Sequence, residues 1–191
     1  MLQFDASTHT YTLAGRKLPS VSEIIRPLQD FSNVPADVLA AACQFGQNVH
    51  AACDLYNREQ LDWDSLDPSL EPYVRAWASF LEDTGAVVIA SECRVYHDQL
   101  GYAGTPDIIL AWGPRTVIPD LKATAAVPRT VGIQTVAYAK AYARMHGCRE
   151  PERYCIHLQD GKYRSHKRTD PADWSMFLSC LNIWKFNNAN H

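Results

Sequence analysis

A chain of 191 residues with 47% hydrophobic and 20% charged side chains is long enough for one domain with a sizeable core, and it is composed like a folded protein. No apolar run approaches a membrane span, and a net charge of −3 argues against an extended, non-specific coat along nucleic acid. The opening MLQFDASTHT lacks the basic-then-apolar pattern of a secretory signal, so a cytoplasmic location is expected.

Taken in order, residues 3–18 alternate in HTYTL and then turn at Ala14-Gly15, which reads as a short hairpin. Ser20 followed by Glu23 has capping-box spacing ahead of a short helix, VSEIIRPL, that Pro27 ends or kinks. A long helix is expected over 35–59, with Val38, Ala42, Phe45, Val49, Cys53 and Tyr56 as one apolar stripe and His50 beside it. Gly46 weakens that helix by about 1 kcal/mol relative to Ala and permits close approach of another backbone or a ligand. Residues 60–69 form an acidic solvated loop. A helix over 70–84 buries Tyr73, Trp77, Phe80 and Leu81 and is capped by Gly85.

Strands follow at 87–89 leading into 92–96, then at 102–110 and 116–121, with turns at Gly101 and Gly113-Pro114; tight connections predict an antiparallel meander. A loop over 123–131 leads to a helix over 132–146. The strand ERYCIHLQ, the hairpin signal Asp160-Gly161 and a return over 163–166 come next. The last helix spans 170–185, with Trp174, Phe177, Leu178, Leu181 and Trp184 inward and a frayed FNNANH tail. The whole is expected as one unit: a mainly helical part (1–85), a catalytic sheet and helix (86–168) and a C-terminal helix (169–191). The six cysteines stand singly and read as small buried hydrophobes in a reducing compartment.

The chemistry concentrates between residues 92 and 138. Glu92, Asp107 in Gly104-Thr105-Pro106-Asp107, and Asp120 in VIPDLKA each lie in or beside an apolar, β-branched run. A strand period of two puts Asp120 and Lys122 on one face and Leu121 on the other. Three carboxylates converging on a sheet edge make a site for a hard divalent cation, since such a cluster without one is costly. Gln134 and Tyr138 sit one helical turn apart. Charge is uneven: residues 1–121 carry 7 basic and 16 acidic side chains (net −9), residues 122–191 carry 11 and 5 (net +6). Positive potential can therefore focus on one side, with Arg129 in the loop and Lys162, Arg164, Lys167 and Arg168 in KYRSHKR as phosphate-contact candidates; an exposed edge strand kept soluble by charge is the equal alternative for that stretch.

These motifs, in this order, resemble the PD-(D/E)XK nuclease superfamily, in its RecB-type and phage-exonuclease branch. The pattern stands here as Gly104-Thr105-Pro106-Asp107, Asp120-Leu121-Lys122 and Gln134-Thr135-Val136-Ala137-Tyr138, over roughly residues 18 to 160. Ala123 departs from it, because Thr or Ser commonly follows the lysine. The resemblance implies an α/β fold with a restriction-endonuclease-like core, a central mixed sheet flanked by helices and a helical N-terminal part. It implies Mg2+ or Mn2+ held by Asp107, Asp120 and Glu92, with His50 of Gly46-Gln47-Asn48-Val49-His50 and the Leu121 backbone carbonyl, and catalysis by these acids with Lys122, Gln134 and Tyr138. It further implies hydrolysis of linear DNA from a free end in phage or prophage recombination or repair, beside an annealing protein or as a ring-shaped homo-oligomer. An iron–sulfur cluster, carried by some relatives, needs four clustered cysteines and is not expected. A restriction-like endonuclease, or a quiet domain that binds DNA or a recombination partner, is the alternative. The chain has no Gly-x-Ser-x-Gly, Walker loop or HExxH.

Overall fold

The structure is a computed structural model and describes residues 2–189. Strands β1 (Leu2–Asp5), β2 (Thr10–Leu13) and β3 (Arg16–Leu18) pair in sequence as a small antiparallel sheet, one strand more than the expected hairpin. Helix α1 (Val21–Ile25) follows, capped by Ser20, whose Oγ accepts from the Glu23 amide at 3.0 Å. The reciprocal half of a capping box is not made, because the Glu23 carboxylate accepts from Trp184 Nε1 at 2.9 Å. A 3-10 turn at Arg26–Leu28 contains Pro27 and ends this part.

Helix α2 (Ala36–Asn57) runs next, then α3 (Glu71–Thr84), which stops at left-handed Gly85. The expected stripe of α2 is buried only over its second half: Val49, Ala52 and Cys53 pack against α3 and the sheet, whereas Val38 is 53% exposed and Ala42 is exposed. Periodicity defines which face of a helix is apolar, but a second element must reach that face to cover it, and α3 reaches α2 from Phe45 onward, where Tyr73 meets it.

The remaining strands are β4 (Val87–Ser91), β5 (Val95–His97), β6 (Tyr102–Gly104), β7 (Ile108–Trp112), β8 (Arg115–Lys122), β9 (Glu152–Gln159) and β10 (Lys162–Lys167), with α4 (Thr130–His146) between β8 and β9 and α5 (Ala172–Asn188) last. The main sheet has the order β10-β9-β8-β7-β4. Its β4, β7 and β8 are antiparallel, β8 and β9 are parallel through the α4 crossover, and β9 and β10 form a hairpin at Asp160-Gly161, both with positive φ. This is the expected fold class, a mixed α/β core with a central mixed sheet flanked by helices.

The expected meander is corrected in two places. Glu92 does not open a strand: the register shifts between Val88 and Ala90, Glu92 takes φ 50°, and the chain leaves the main sheet. The run 102–110 is two strands, because β6 pairs with β5 in a separate ribbon and β7 begins only after the Thr105-Pro106-Asp107 bend. The C-terminal helix also runs further than expected, to Asn188, with Phe186 exposed; Asn190 and His191 of the expected frayed tail lie outside the described residues.

One face of the sheet carries α1, α4 and α5 over Ile109 and Ile118; the other carries α2 and α3 over Ile108, Val117, Leu121 and Ile156. Tyr11, Leu18 and Ala103 form a third, small core. Cys53, Cys155 and Cys180 are buried, as expected of small hydrophobes, while Cys43 and Cys148 are exposed. The first turn of α4 is clamped to α5 and β9 by Arg153, whose guanidinium donates to the Gly132 carbonyl at 2.9 Å and to Asp173 Oδ2 at 2.8 Å. A Cβ on Gly132 would stand 2.5 Å from that carboxylate. Gly132→Ala is therefore expected to destabilise the fold by about 2 kcal/mol, lowering Tm by roughly 4–8 °C. A thermal melt matching that of the wild type would show that the clamp is loose.

Candidate active site

Strand β8 delivers two of the expected residues. Ile118, Asp120 and Lys122 share the face toward α4, while Val117 and Leu121 face the α2–α3 core. Pairing of β7 with β8 ends at Leu110↔Val117, and Pro119, two residues on, has no N–H with which to extend that ladder. The two strands part there, and the Asp107 bend before β7 comes to lie beside the end of β8.

Four polar side chains from three places meet at this gap. His50, on the buried half of α2, sets Nδ1 3.4 Å from Asp107 Oδ1 and Nε2 3.0 Å from the Leu121 carbonyl oxygen. Lys122 Nζ lies 2.7 Å from Asp120 Oδ2. Asp120 is 3% exposed, which excludes an ordinary surface Asp-x-Lys pair.

The electrostatics follow from burial opposed by charge. Burial pushes the Asp120 carboxyl up and Asp107 adds to this, outweighing Lys122; the net pKa is raised. Burial acts on Asp107 in the same sense, but His50 and then Lys122 outweigh it, so Asp107 is held below the usual carboxylate range. Burial alone would lower His50 and Lys122; Asp107 reverses this for His50, and Asp120 with Asp107 reverses it for Lys122, so both pKa values are raised and both groups favour the cationic form.

This set fits a hard divalent cation of the open kind. Among the described residues no three His, Cys, Asp or Glu side chains are gathered tightly enough to form a cage. Magnesium, however, is commonly held by one or two carboxylates and completes its shell with water and phosphate oxygens. Asp107 lies close enough to Asp120 to push its ionisation up. Asp120 Oδ2 is buried, and the Lys122 ammonium is its ion-pair partner at 2.7 Å. The Leu121 carbonyl, which accepts one contact from His50, keeps a second lone pair.

The other expected residues are placed as follows. Glu92 lies in the loop after β4 with its side chain exposed, at the rim and not in the cluster; its amide donates to the Asp107 carbonyl at 2.9 Å. Desolvation, then Asp107 and Asp54, raise its pKa. Gln134 and Tyr138 point from α4 to the same region, with Gln134 Nε2 donating to the Tyr138 hydroxyl at 3.2 Å. A cavity of about 210 Å3 joins Asp107, Glu92, Gln134, Tyr138, Tyr11 and Thr105. The space beside Gly46 is open, since a Cβ there would meet nothing within 4 Å; close approach of this chain's backbone is not the reason for that glycine.

The basic candidates do not act as one block. Strand register sets Lys122, His157 and Arg164 in a row across β8, β9 and β10, placing Arg164 roughly 10 Å from Lys122 on the same face. Lys162 and Arg164 are exposed at this end of β10. Lys167 turns to the other face, over the Tyr154 ring and 2.9 Å from Glu152 Oε2, so its charge is already paired. Arg129, Lys167 and Arg168 border a separate cleft of about 570 Å3 between the starts of α4 and α5.

Two contacts escaped the sequence reading. The Tyr11 hydroxyl is 2.7 Å from Thr105 Oγ1, and a His157 ring nitrogen is 2.6 Å from the Thr124 carbonyl, tying down the loop after Lys122. The signal for Tyr11 was an aromatic with a polar tip in an alternating strand, which needs a partner when buried; nothing local names that partner, 94 residues away.

No family model matches the chain, nor does any curated protein. Solved structures do resemble it. A protein of Eubacterium rectale, provisionally assigned as an exonuclease, is 10% identical, with 77% of this chain and 69% of that one covered at a TM-score of 0.50. The alkaline exonuclease LHK-Exo of Laribacter hongkongensis is 13% identical, covering 89% of this chain and 87% of its own at a TM-score of 0.46. Its complex with dAMP is 16% identical, covering 90% and 93% at a TM-score of 0.34. At such identities the first of these likenesses establishes a shared fold, and the chemistry is argued from the residues. No helix among the described residues is long and apolar enough to cross a membrane.

Proposed function

We propose that this chain is a Mg2+- or Mn2+-dependent deoxyribonuclease that hydrolyses DNA from an end. The observation that carries this reading is the meeting of His50, Asp107, Asp120 and Lys122 at the gap between β7 and β8, with the buried Asp120 ion-paired to Lys122. The exonuclease assignment of the Eubacterium rectale protein agrees with it.

Asp107, Asp120 and the Leu121 carbonyl would hold the cation, with Glu92 reaching from the rim through water. His50 braces Asp107 against the β8 backbone and is a candidate ligand only once a ring nitrogen gives up its proton. Such an ion supplies Lewis-acid polarisation of the scissile phosphate. Lys122 cannot ligate it, having no lone pair as an ammonium; it positions the attacking water and offsets negative charge that develops on the phosphate. Gln134 and Tyr138 hold the strand, and Arg164, Lys162, Arg129 and Arg168 contact phosphates on the flank. Lys167 contributes only if its pairing with Glu152 opens.

We read the chain as a single nuclease unit, at work in the cytoplasm in phage or prophage recombination or repair, with an annealing protein or a ring of identical subunits as partner. The end requirement follows from net acidic charge: the protein grips poorly along naked duplex. Linear duplex should be degraded and covalently closed circles spared, with product sizes followed over time. Rapid cutting of circles would replace the exonuclease reading by an endonuclease.

Gln134→Ala removes the side chain that meets the Tyr138 hydroxyl in the cavity beside Asp107. Turnover should fall by about tenfold, the scale of one polar contact to a charged group, with an unchanged circular dichroism spectrum. Wild-type cleavage by this variant would remove Gln134 from the site.

A further inference from the structure

The small sheet β1–β3 stands apart from the main sheet, yet it supplies a wall of the site. Tyr11 of β2 is 1% exposed, and its hydroxyl meets Thr105 Oγ1 at 2.7 Å. Thr105 is two residues before Asp107, in the stretch 105–107 that belongs to no strand. The same region is stitched to the exit of β3: Ser20 bridges Ala103, and the Ala103 amide donates to the Pro19 carbonyl at 3.0 Å.

From the opposite side, Tyr138 closes directly onto the turn, since a Cβ on Gly104 would stand 2.5 Å from its ring. The Glu92 amide secures the Asp107 carbonyl. The turn is therefore gripped by Tyr11, by Tyr138 and by the backbone at Glu92. Of these, the Tyr11–Thr105 contact is, among the described residues, the one side-chain hydrogen bond that joins the bend to the small sheet. An irregular stretch without such anchors samples several conformations, and about 1 Å of misplacement at a reacting centre can cost about a hundredfold in rate.

We propose that Tyr11 is a positioning residue: through Thr105 it fixes the bend that aims the Asp107 carboxylate at the end of β8, which makes the N-terminal sheet an integral part of the site. The consequence for turnover rests on the nuclease reading above; the consequence for the bend does not.

The test uses the full chain. Tyr11→Phe keeps the ring and removes one oxygen, Thr105→Val removes the other partner, and Thr105→Ser keeps it. Tyr11→Phe and Thr105→Val should each lower kcat on linear duplex by about tenfold with KM unchanged. Both should weaken Mn2+ binding measured by calorimetry and speed deuterium uptake in the peptide spanning 102–108. The double variant should be no worse than either single one, because one contact is removed once, and Thr105→Ser should match the wild type. A lowered Tm with wild-type kcat and wild-type Mn2+ affinity would make Tyr11 a packing residue and overturn the proposal. If the wild type cleaves no DNA, the nuclease reading fails, and the exchange arm still decides: unchanged uptake over 102–108 in Tyr11→Phe sinks the positioning role. If Tyr11→Phe does not fold, Thr105→Val reads the same contact from the other side.

Discussion

Lys122→Ala is expected to keep the cation and lose cleavage by about a hundredfold or more, the scale for removing one preorganised donor to developing charge. The ammonium sits 2.7 Å from Asp120 Oδ2, and the pull of Asp120 and Asp107 outweighs burial to keep it charged, so it is not a free base waiting to accept a proton. Its removal leaves His50, beside Asp107, to offset both carboxylates. The metal-free variant should therefore melt below the wild type, and Mn2+ should raise its Tm by more than it raises that of the wild type, since binding to the folded state alone stabilises it. Loss of Mn2+ affinity on this substitution would mean that the lysine's position, and the division of roles with Asp120, is misassigned.

Asp120→Asn is the complementary change. It keeps shape and size and removes the charge that would face the cation, so Mn2+ affinity and cleavage should fall together. A loss of about 3 kcal/mol, roughly a hundredfold, is the scale for a charged partner in a buried site. It also strands the Lys122 ammonium beside Asp107 alone, so calorimetry is to be paired with a thermal melt that shows the fold intact. Retained Mn2+ affinity in Asp120→Asn, with affinity lost in Lys122→Ala, would reverse the two assignments. On an exposed strand either change would move stability by under about 0.5 kcal/mol and leave activity alone; the burial of Asp120 is what sets this pair apart.

Much of the site was legible because its signals are local. The shared face of Asp120 and Lys122 follows from the strand period, the Asp160-Gly161 hairpin from turn chemistry, and the Gln134–Tyr138 contact from helical spacing. What was missed depends on contacts distant in sequence. The apolar residues of 102–110 read as one strand, although the bend at Thr105-Pro106-Asp107 divides it between two sheets. The left-handed backbone at Glu92 leaves no mark in a stretch without glycine, and it moves that carboxylate to the rim. The charge of Lys167 reads as available until the register of β9 and β10 places Glu152 beside it. The first half of α2 has a sound apolar stripe but leaves Val38 and Ala42 exposed.

The central claim is that the cluster of Asp107, Asp120, Lys122 and His50 is a cation-dependent nuclease centre. End-labelled linear duplex incubated with the purified chain in Mg2+ or Mn2+, beside an identical tube with excess chelator, tests it most directly. The account predicts progressive loss of label with the metal, none with the chelator, and recovery when metal is restored; equal cleavage in both tubes would contradict it.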